Sequence, residues 1–439
     1  MRLQGYSQEP WHAVRAVIAE KHNHYLNRLQ EGMPLNSSVS PSLHDAGSIL
    51  GLAPLLKAAF TGTDLTPLAD DWIELARQRR NANTLLDLSL VLELLRHREP
   101  ALAIQSDALK ITQHFRIASS PAKAALRVLV LKTPGDLSAN TPIECLLEGS
   151  DIAIELLYVA PALPLPEAPP EHDLLFVAIA ESNENRPVLE YLQRKLVFWP
   201  RPILNAPSEI LKLERSRACE ILSLVPNIVM PHTDQVDRVT LQQLAHGELP
   251  IDVVPAAGGF PFIVRPIDSH AGRGLIKAES PDELLSYLEH RPESSFFISR
   301  FIDYSSADHL FRKYRIVMMH GQPFLCHMGI SDYWMVHYPY SEMIPSAARR
   351  VEEEQLMDAF NETFARRHQA ALAAIHQKIQ LDYFGLDCAE SIDGDLVIFE
   401  VASAMLVHAM DDPAIFPYKA VQMRKVFDAF RNTLCRCSQ

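Results

Sequence analysis

Apolar residues in the first part of the chain recur with the spacing of amphipathic helices. Leucines cluster from Leu85 to Leu95, and Pro100 opens a second segment that ends near Ile111. Two such segments in succession predict a helical hairpin, and we expect residues 1–120 to be helical throughout. The pair resembles one tetratricopeptide-type unit, but no second copy follows at a fixed period. This favours a helical cap over a peptide-binding array.

From Leu126 the pattern changes to short apolar runs, which are typical of buried strands. Strands that alternate with helices predict a small parallel sheet of Rossmann-like type over residues 121–200. The segment has no GxGxxG, so we assign it no dinucleotide. The predicted elements are strands at Leu126–Leu131, Ile152–Val159 and Leu174–Ala180, a helix from Pro187 to about Phe198, and a short strand ending at Asn205.

Residues 201–439 combine helices with antiparallel hairpins, so the predicted fold class is mixed α/β and α+β. Dipeptides that favour tight turns, His320-Gly321 and Asp393-Gly394, each lie between two strand-like runs. The predicted elements are a helix from Ser208 to about Leu224, a strand at Phe260–Arg265, hairpins at Leu310–Ile330 and Gly385–Ala402, and a long helix, about Glu352–Lys378, between the hairpins.

Composition narrows the classes of partner. With 439 residues, of which 48% are hydrophobic, the chain is long enough for two or three domains. A formal net charge of −13 and no Lys/Arg block disfavour nucleic acid and anionic membrane as partners. No apolar run reaches the length of a membrane span, so we expect a cytoplasmic protein. The six cysteines form no CxxC pair; Cys435 and Cys437 are either a redox or metal pair or part of a frayed, reduced tail.

The second hairpin carries the clearest chemistry. If Asp393 and Gly394 form a two-residue turn, Asp387 and Glu400 lie directly opposite each other on one face. Their Cβ atoms would then be roughly 5 Å apart, and two like charges at that distance are destabilising unless a cation lies between them. Apolar neighbours indicate a buried position. The pair therefore predicts a site for a divalent metal, and an exposed acidic pair is the alternative.

Two further segments suggest phosphate binding. Gly272 and Gly274 follow the strand that ends with Arg265, so open backbone amides and a cation are available together. Glycine loops more often only make turns, and this signal is weak alone. In the first hairpin, alternation puts Lys313 and Arg315 on one face, where arginine suits phosphoryl or carboxylate oxygens. A surface charge is the alternative for Lys313.

In their order and spacing these segments resemble the ATP-grasp superfamily, including its glutathione synthetase-like and ribosomal-protein glutamate ligase-like members. The resemblance covers roughly residues 201–431 and rests on the strings PFIVRP with its glycine loop, FRKYRIVMMHGQPF, and FGLDCAESIDGDLVIFEVASAM. The strings HMGISDYWMVHY and MLVHAMDD resemble a bacterial subgroup with helical N-terminal extensions. The resemblance implies a helical region at 1–120, a Rossmann-like domain at 121–200 preceding the ATP-grasp domain, and an ATP-grasp domain of two α+β subdomains at 201–439.

The resemblance also implies roles for individual residues. Arg315 would be catalytic, and Asp387 and Glu400 would bind Mg²⁺. The family's usual metal-binding asparagine, two residues after the glutamate, is Ala402 here, and its usual lysine is Arg265. The residues expected to bind ATP are Arg265, Ser269, His270, Gly272, Arg273, Gly274, Ser299, Arg300, Phe301, Ile302 and Lys313.

Three histidines, His327, His337 and His408, are further candidates for contacts with the substrate. The resemblance implies a ligase that uses ATP and Mg²⁺ to join small-molecule carboxylate and amine substrates through an acylphosphate. A nucleotide-binding pseudoenzyme, with the helical region as a protein-interaction module, and a kinase-type transferase are the alternatives. A protein partner for the helical region and a homodimer both stay open.

Overall fold

The computed structural model describes residues 47–118, 123–267, 274–336 and 340–438. The predicted fold class is confirmed, because helices, a mostly parallel sheet and two further antiparallel sheets follow one another along the chain. Within the described ranges, no helix is both long enough and apolar enough to cross a membrane.

In the ranges that the structure describes, four helices precede the first sheet, and the predicted hairpin corresponds to the third and fourth of them. The expectation of helix throughout residues 1–120 is wrong at His114–Arg116, which form a strand paired with the first sheet. A tetratricopeptide unit is not confirmed. The helices are α1 (Leu52–Phe60), α2 (Thr66–Gln78), α3 (Ala82–Leu94) and α4 (Arg98–Leu109).

The first sheet has the strand order β1-β3-β2-β4-β5, and only β1 runs antiparallel to its neighbour. Its central strands are mostly apolar and buried, as expected for a parallel sheet that is covered on both faces. The elements are β1 (His114–Arg116), β2 (Leu126–Lys132), α5 (Ile143–Leu146), β3 (Ile152–Tyr158), β4 (Leu174–Val177), α6 (Arg186–Lys195) and β5 (Ile203–Leu204).

The second sheet is antiparallel, in the order β7-β10-β8-β9, and packs against two helices through a separate apolar cluster. Ser280 caps the second of these helices by accepting a hydrogen bond from the Glu283 N–H. The elements are β7 (Thr233–Asp237), α9 (Arg238–Ala245), β8 (Phe262–Pro266), β9 (Ile276–Ala278), α10 (Pro281–Glu289) and β10 (Ser295–Arg300), preceded by α7 (Pro207–Ile210), α8 (Arg215–Leu222) and β6 (Ile228–Val229).

The third sheet has the order β12-β11-β13-β14-β6 and contains both predicted hairpins. Helix α15 lies between it and the first sheet, where Phe430 contacts Tyr383 of the third sheet and Phe176 of the first, at ring-centroid distances of 5.2 and 5.9 Å. The elements are β11 (Phe311–Met319), β12 (Gln322–Ser331), α11 (Tyr340–Met343), α12 (Ala347–Ala359), α13 (Phe364–Arg367), α14 (Gln369–Ile379), β13 (Tyr383–Glu390), β14 (Leu396–Ala402) and α15 (Lys419–Cys437).

Two helices predicted as continuous are broken. The segment from Ser208 to Leu224 is interrupted at Glu214. This residue is the N-cap of the second helix, and its carboxylate accepts hydrogen bonds from the N–H groups of Ser216 and Arg217. The segment from Glu352 to Lys378 is interrupted after Ala359. The break lets Phe364 pack on Tyr314 of the third sheet, with ring centroids 4.6 Å apart, so tertiary packing overrides helix propensity here.

Candidate active site

A row of four candidate site residues crosses the third sheet. His327 on β12 is the register partner of Arg315 on β11, Arg315 is the partner of Asp387 on β13, and Asp387 is the partner of Glu400 on β14. Directly opposed residues lie side by side on a sheet. The pairing of Asp387 with Glu400, predicted from the hairpin, is confirmed.

The predicted two-residue turn at Asp393-Gly394 is nevertheless wrong. Near the tip, Glu390 pairs with Leu396, and Ser391 donates its N–H to the Asp395 carbonyl, which leaves three residues in the turn instead of two. A β-bulge at Phe399 then restores the register between Cys388 and Asp387. The longer turn and the bulge offset each other, so the predicted partners meet.

Asp387 is bound by two cations of the neighbouring strand. The guanidinium of Arg315 donates from Nε to Oδ1 at 2.8 Å and from Nη2 to Oδ2 at 3.0 Å, and Lys313 Nζ lies 2.8 Å from Oδ2. Asp387 is 3% exposed. The prediction that Lys313 and Arg315 share a face is confirmed, because both reach the same carboxylate. The cation required beside the carboxylate pair is therefore supplied by the protein itself.

Burial and charge act in opposite directions on the pKa values in this row. Burial alone would raise the pKa of Asp387, but Arg315 and Lys313 hold it well below its usual range. Burial would lower the pKa of Arg315, but the carboxylates of Asp387 and Glu400 raise it. Both groups are fully charged at neutral pH, so the row is a buried ionic network.

Glu400 and residue 402 decide how well the row suits a metal. The Glu400 carboxylate is half-buried, and it takes part in none of the hydrogen bonds or ion pairs of the described residues. Carboxylate oxygens are the protein ligands that Mg²⁺ prefers, so Asp387 and Glu400 fit the ion chemically, provided that Asp387 gives up a protein cation. Ala402 pairs with Gly385 across the hairpin and offers no donor atom.

Two of the three candidate histidines lie close to Arg315: His327 is the end member of the row, and His408 is near it. Burial, followed by the nearby charges of Arg315 and Lys419, lowers the pKa of His327 well below its usual value. Burial likewise lowers the pKa of His408, whose Nδ1 accepts a hydrogen bond from the Met410 N–H. Both imidazoles are therefore neutral at pH 7. His337 lies outside the described residues.

The residues expected to bind ATP divide into two groups. Lys313 contacts Asp387 of the row, whereas Arg265, Gly274 and the 299–302 segment lie on or beside the second sheet. Arg265 on β8 is opposite Phe297 on β10, and its guanidinium carbon is 5.9 Å from that ring. Ser299 and Arg300 end β10, and Phe301 and Ile302 follow it. Ser269, His270, Gly272 and Arg273 lie outside the described residues.

The segment after β10 connects the two sheets. Tyr304 packs on Phe399 at 4.9 Å and on Phe311 at 5.0 Å, measured between ring centroids, so this segment is anchored on the third sheet beside Glu400. Phe301, at the start of the same segment, lies under Lys277 of β9, whose Nζ is 4.3 Å from the ring centroid. The predicted adenine-binding segment thus leads directly from one sheet to the other.

Several polar residues near the site were not predicted. Lys277 was missed, although a lysine on the strand after the glycine loop was visible in the sequence. Asp411 has a buried Oδ1, and Ser403 a buried Oγ, without a hydrogen-bond partner in the described part of the chain. Both follow β14 in the loop that also contains His408. Their position depends on how this loop folds, which no motif indicates.

A buried ion pair behind the site was missed as well. Lys419 Nζ contacts Glu353 Oε1 at 2.6 Å and the Cys326 carbonyl at 3.1 Å, while Tyr418 donates its hydroxyl to Glu353 Oε2. Both charged groups are at most 2% exposed. Lys419 and Glu353 are more than sixty residues apart in the sequence, so only the folded structure reveals the pair.

The helical region reaches this site from the other side. The Phe60 ring of α1 lies 4.7 Å from the His408 ring, and Leu406 and Met410 belong to the apolar cluster of the helices. Thr141, in the first sheet's domain, donates its hydroxyl to the Ser403 carbonyl at 2.9 Å. The loop from Ser403 to Met410 is thus enclosed between the third sheet and the preceding parts of the chain.

Comparisons with known proteins give structural similarity only. No family model matches the chain, and no curated protein matches it. Among solved structures, the chain is similar to a RimK-domain ATP-grasp protein from Sphaerobacter thermophilus DSM 20745, with 16% identity over 70% of this chain and 99% of that one, at a TM-score of 0.41. It is also similar to the VanG D-Ala:D-Ser ligase from Enterococcus faecalis, with 14% identity over 70% and 99% of the two chains, at a TM-score of 0.43.

Proposed function

We propose that this protein is an ATP-dependent ligase that joins a carboxylate to an amine through an acylphosphate. The observation that carries the proposal is the row in which Lys313 and Arg315 bind Asp387 beside Glu400. Two cations and two carboxylates at one place suit a triphosphate and its counter-ion together. Each cation can exchange a carboxylate oxygen for a phosphate oxygen of similar geometry.

ATP binding, on this proposal, changes the partners of the two cations. Without nucleotide, Asp387 binds both of them. When the triphosphate enters, its oxygens accept hydrogen bonds from Lys313 and Arg315, and Asp387 becomes available together with Glu400. Arg265, on the neighbouring sheet, supplies a further cation for the phosphates, and residues 299–302 contact the adenine. The residues of the glycine loop complete the phosphate site.

Asp387 and Glu400 would hold magnesium through their carboxylate oxygens. Bound there, the ion would neutralise negative charge on the phosphates as the phosphoryl group is transferred. Ala402 contributes no ligand, and magnesium commonly keeps several water molecules and takes only one or two protein carboxylates. We therefore propose one ion that the protein holds well.

The reaction has two steps in this proposal. A carboxylate oxygen of the substrate attacks the γ-phosphorus of ATP, the bond from that phosphorus to the bridging oxygen breaks, and ADP leaves. Arg315 stabilises the charge on the transferred phosphoryl group, because its guanidinium is held in place by the strand. The amine then attacks the acyl carbon, the bond from that carbon to the phosphate oxygen breaks, and phosphate leaves.

The amine must lose a proton in the second step, and two neutral histidines are available, one in the row and one beside it. His327 and His408 can each accept a proton or a hydrogen bond, since burial keeps both uncharged at pH 7. Asp411, with its unsatisfied buried oxygen, adds negative charge beside His408. We propose that this side of the row receives the amine substrate, with Phe60 of the helical region closing it.

A hydroxamate assay tests the proposal on the full chain. Purified protein, ATP and magnesium are incubated with hydroxylamine and a panel of carboxylates, and hydroxamate is measured alongside ADP. Hydroxamate is expected, because hydroxylamine traps an acylphosphate. ADP with a stable phosphorylated product would instead support kinase-type transfer. ATP binding without turnover of any carboxylate would support the pseudoenzyme.

A matched pair of variants locates the activity. Glu400→Gln should abolish hydroxamate formation, since it removes a proposed magnesium ligand. Asp393→Asn removes the same charge from the exposed tip of the same hairpin and should leave activity unchanged. Full activity in Glu400→Gln would show that this hairpin does not hold the ion.

A further inference from the structure

A second group of ligating side chains lies at the other end of the third sheet. His320 lies in the turn between β11 and β12, Asp382 precedes β13, and Cys437 ends α15. One ligand atom from each side chain lies within 4.8 Å of the others. Asp382 is five residues from Asp387 along the chain, which corresponds to about 16 Å of strand. This group is therefore separate from the proposed ligase site.

The backbone holds two of the three residues in fixed positions. The His320 N–H donates to the Asp382 carbonyl at 2.7 Å, so the turn and the start of β13 are tied together. The Asn205 N–H donates to Asp382 Oδ2 at 2.9 Å and orients the carboxylate. The Asn205 side chain is itself bonded to both the N–H and the carbonyl of Tyr383. Such second-layer hydrogen bonds are typical of ligands in protein metal sites.

A fourth candidate ligand is adjacent to the group. His376 on α14 packs against Gly321, the second residue of the same turn; a Cβ atom at Gly321 would lie 2.9 Å from its Cδ2 and 3.2 Å from its Nε2. Its Nδ1 is buried, and it has no hydrogen-bond partner within the described ranges. The Cδ2–Nε2 edge of the imidazole thus faces the turn that contains His320, so Nε2 is the nitrogen available to a metal there.

Cys437 does not pair with Cys435. Both cysteines lie on α15, so neither belongs to a frayed tail, and residues two apart on a helix do not face each other. Cys435 points instead into a groove lined by Met319, Phe324 and Ala429. Cys437 therefore contributes its sulfur to a group made with residues from other segments.

We propose that His320, Asp382 and Cys437 bind a zinc ion, with His376 or a water molecule as the fourth ligand. Thiolate, imidazole and carboxylate are the ligands of tetrahedral zinc, whereas magnesium does not favour sulfur or nitrogen. With bonds of about 2.0–2.3 Å, ligand atoms in such a site lie about 3.3–3.8 Å apart. The ligand atoms therefore need to approach one another by at most about 1.0–1.5 Å. The ion would fasten the end of α15 to the third sheet.

Cobalt substitution tests this site directly. The full chain is stripped of metal with a chelator and titrated with Co²⁺, and the near-ultraviolet charge-transfer band of a cobalt-bound thiolate is recorded. The wild-type protein should develop this band up to one equivalent of cobalt and lose it when Zn²⁺ is added. Zn²⁺ should also raise its melting temperature. No thiolate band in the wild-type protein would overturn the proposal.

Four variants assign the ligands and separate this site from the ligase site. Cys437→Ser should lose the band, while Cys435→Ser, on the same helix end, should keep it; the reverse result would overturn the proposal. Asp382→Asn keeps the thiolate and should weaken cobalt binding by at least about tenfold, so unchanged affinity would exclude Asp382. Glu400→Gln should keep the band while losing hydroxamate formation, so failure of one proposal is distinguishable from failure of the other.

Discussion

The ion pairs of Asp387 predict that an Asp387→Asn variant is less stable than the wild type but is stabilised more strongly by ATP. Replacing Asp387 with Asn keeps the shape of the side chain but removes the negative charge that pairs with Arg315 and Lys313. The side chains of these two cations are only 14% and 28% exposed. Leaving a buried charge without its partner costs about 3–5 kcal/mol. Because Lys313 can turn partly towards water and Glu400 is close, we expect a loss near the lower end, about 3 kcal/mol.

Urea denaturation and thermal melting of the nucleotide-free protein measure this loss, with Asp393→Asn as the control of equal charge change. Glu400→Gln should be much less destabilising, because no protein cation depends on Glu400 alone. Both Asp387→Asn and Glu400→Gln should lack ligase activity. Only Asp387→Asn should also have a lower melting temperature than the wild type.

ATP provides the decisive comparison. In buffer with a chelator and no magnesium, the triphosphate should raise the melting temperature of Asp387→Asn more than that of the wild type. The reason is that its oxygens replace the charge that the substitution removed. The reasoning would be refuted if Asp387→Asn melted like the wild type, or if ATP stabilised both proteins equally.

Four other changes give further predictions. Arg315→Lys should lower turnover by about 10²–10³-fold while raising the ATP dissociation constant less, measured by steady-state kinetics and calorimetry; equal losses would make Arg315 an ordinary binding residue. Ala402→Asn should lower the magnesium concentration for half-maximal activity, and an unchanged requirement would contradict a missing ligand at 402. Arg265→Ala should weaken ATP binding in calorimetry without changing the nucleotide-free melting temperature, and unchanged affinity would remove Arg265 from the site. Burial raises the pKa of Asp87 from 3.8 to about 7, although hydrogen bonds from the Leu50 and Gly51 N–H groups act to lower it. The stability of the wild type should therefore fall relative to that of Asp87→Asn as the pH rises from about 4 to about 7. Urea midpoints of the two proteins that change in parallel over this range would contradict the raised pKa.

The sequence predicted elements where a local pattern was sufficient. Strands β2 to β5 of the first sheet and the turn at His320-Gly321 follow from apolar runs and turn chemistry. The interruption after Ala359 could not be predicted, because it depends on Phe364 finding a position on Tyr314. Contacts across the fold decide such breaks, whereas helix patterns report only neighbours along the chain.

The candidate site shows the same division. The opposition of Asp387 and Glu400 could be predicted, since a hairpin fixes it locally. The binding of Asp387 by Lys313 and Arg315 could not, because β11 and β13 are joined by a long connection and their register depends on the whole sheet. The group of His320, Asp382 and Cys437 was even less accessible, as it unites three segments that have no common motif.

The bulge at Phe399 has a consequence for how this hairpin can vary between related proteins. It absorbs one residue between the tip and the Asp387–Glu400 pair, so the two ends of the hairpin follow different registers. Phe399 is also fixed by its contact with Tyr304, which lies outside the hairpin. A tip that is shortened or lengthened by one residue therefore keeps the two carboxylates opposite each other only if the bulge changes with it. We expect turn length and the bulge to change together across homologues.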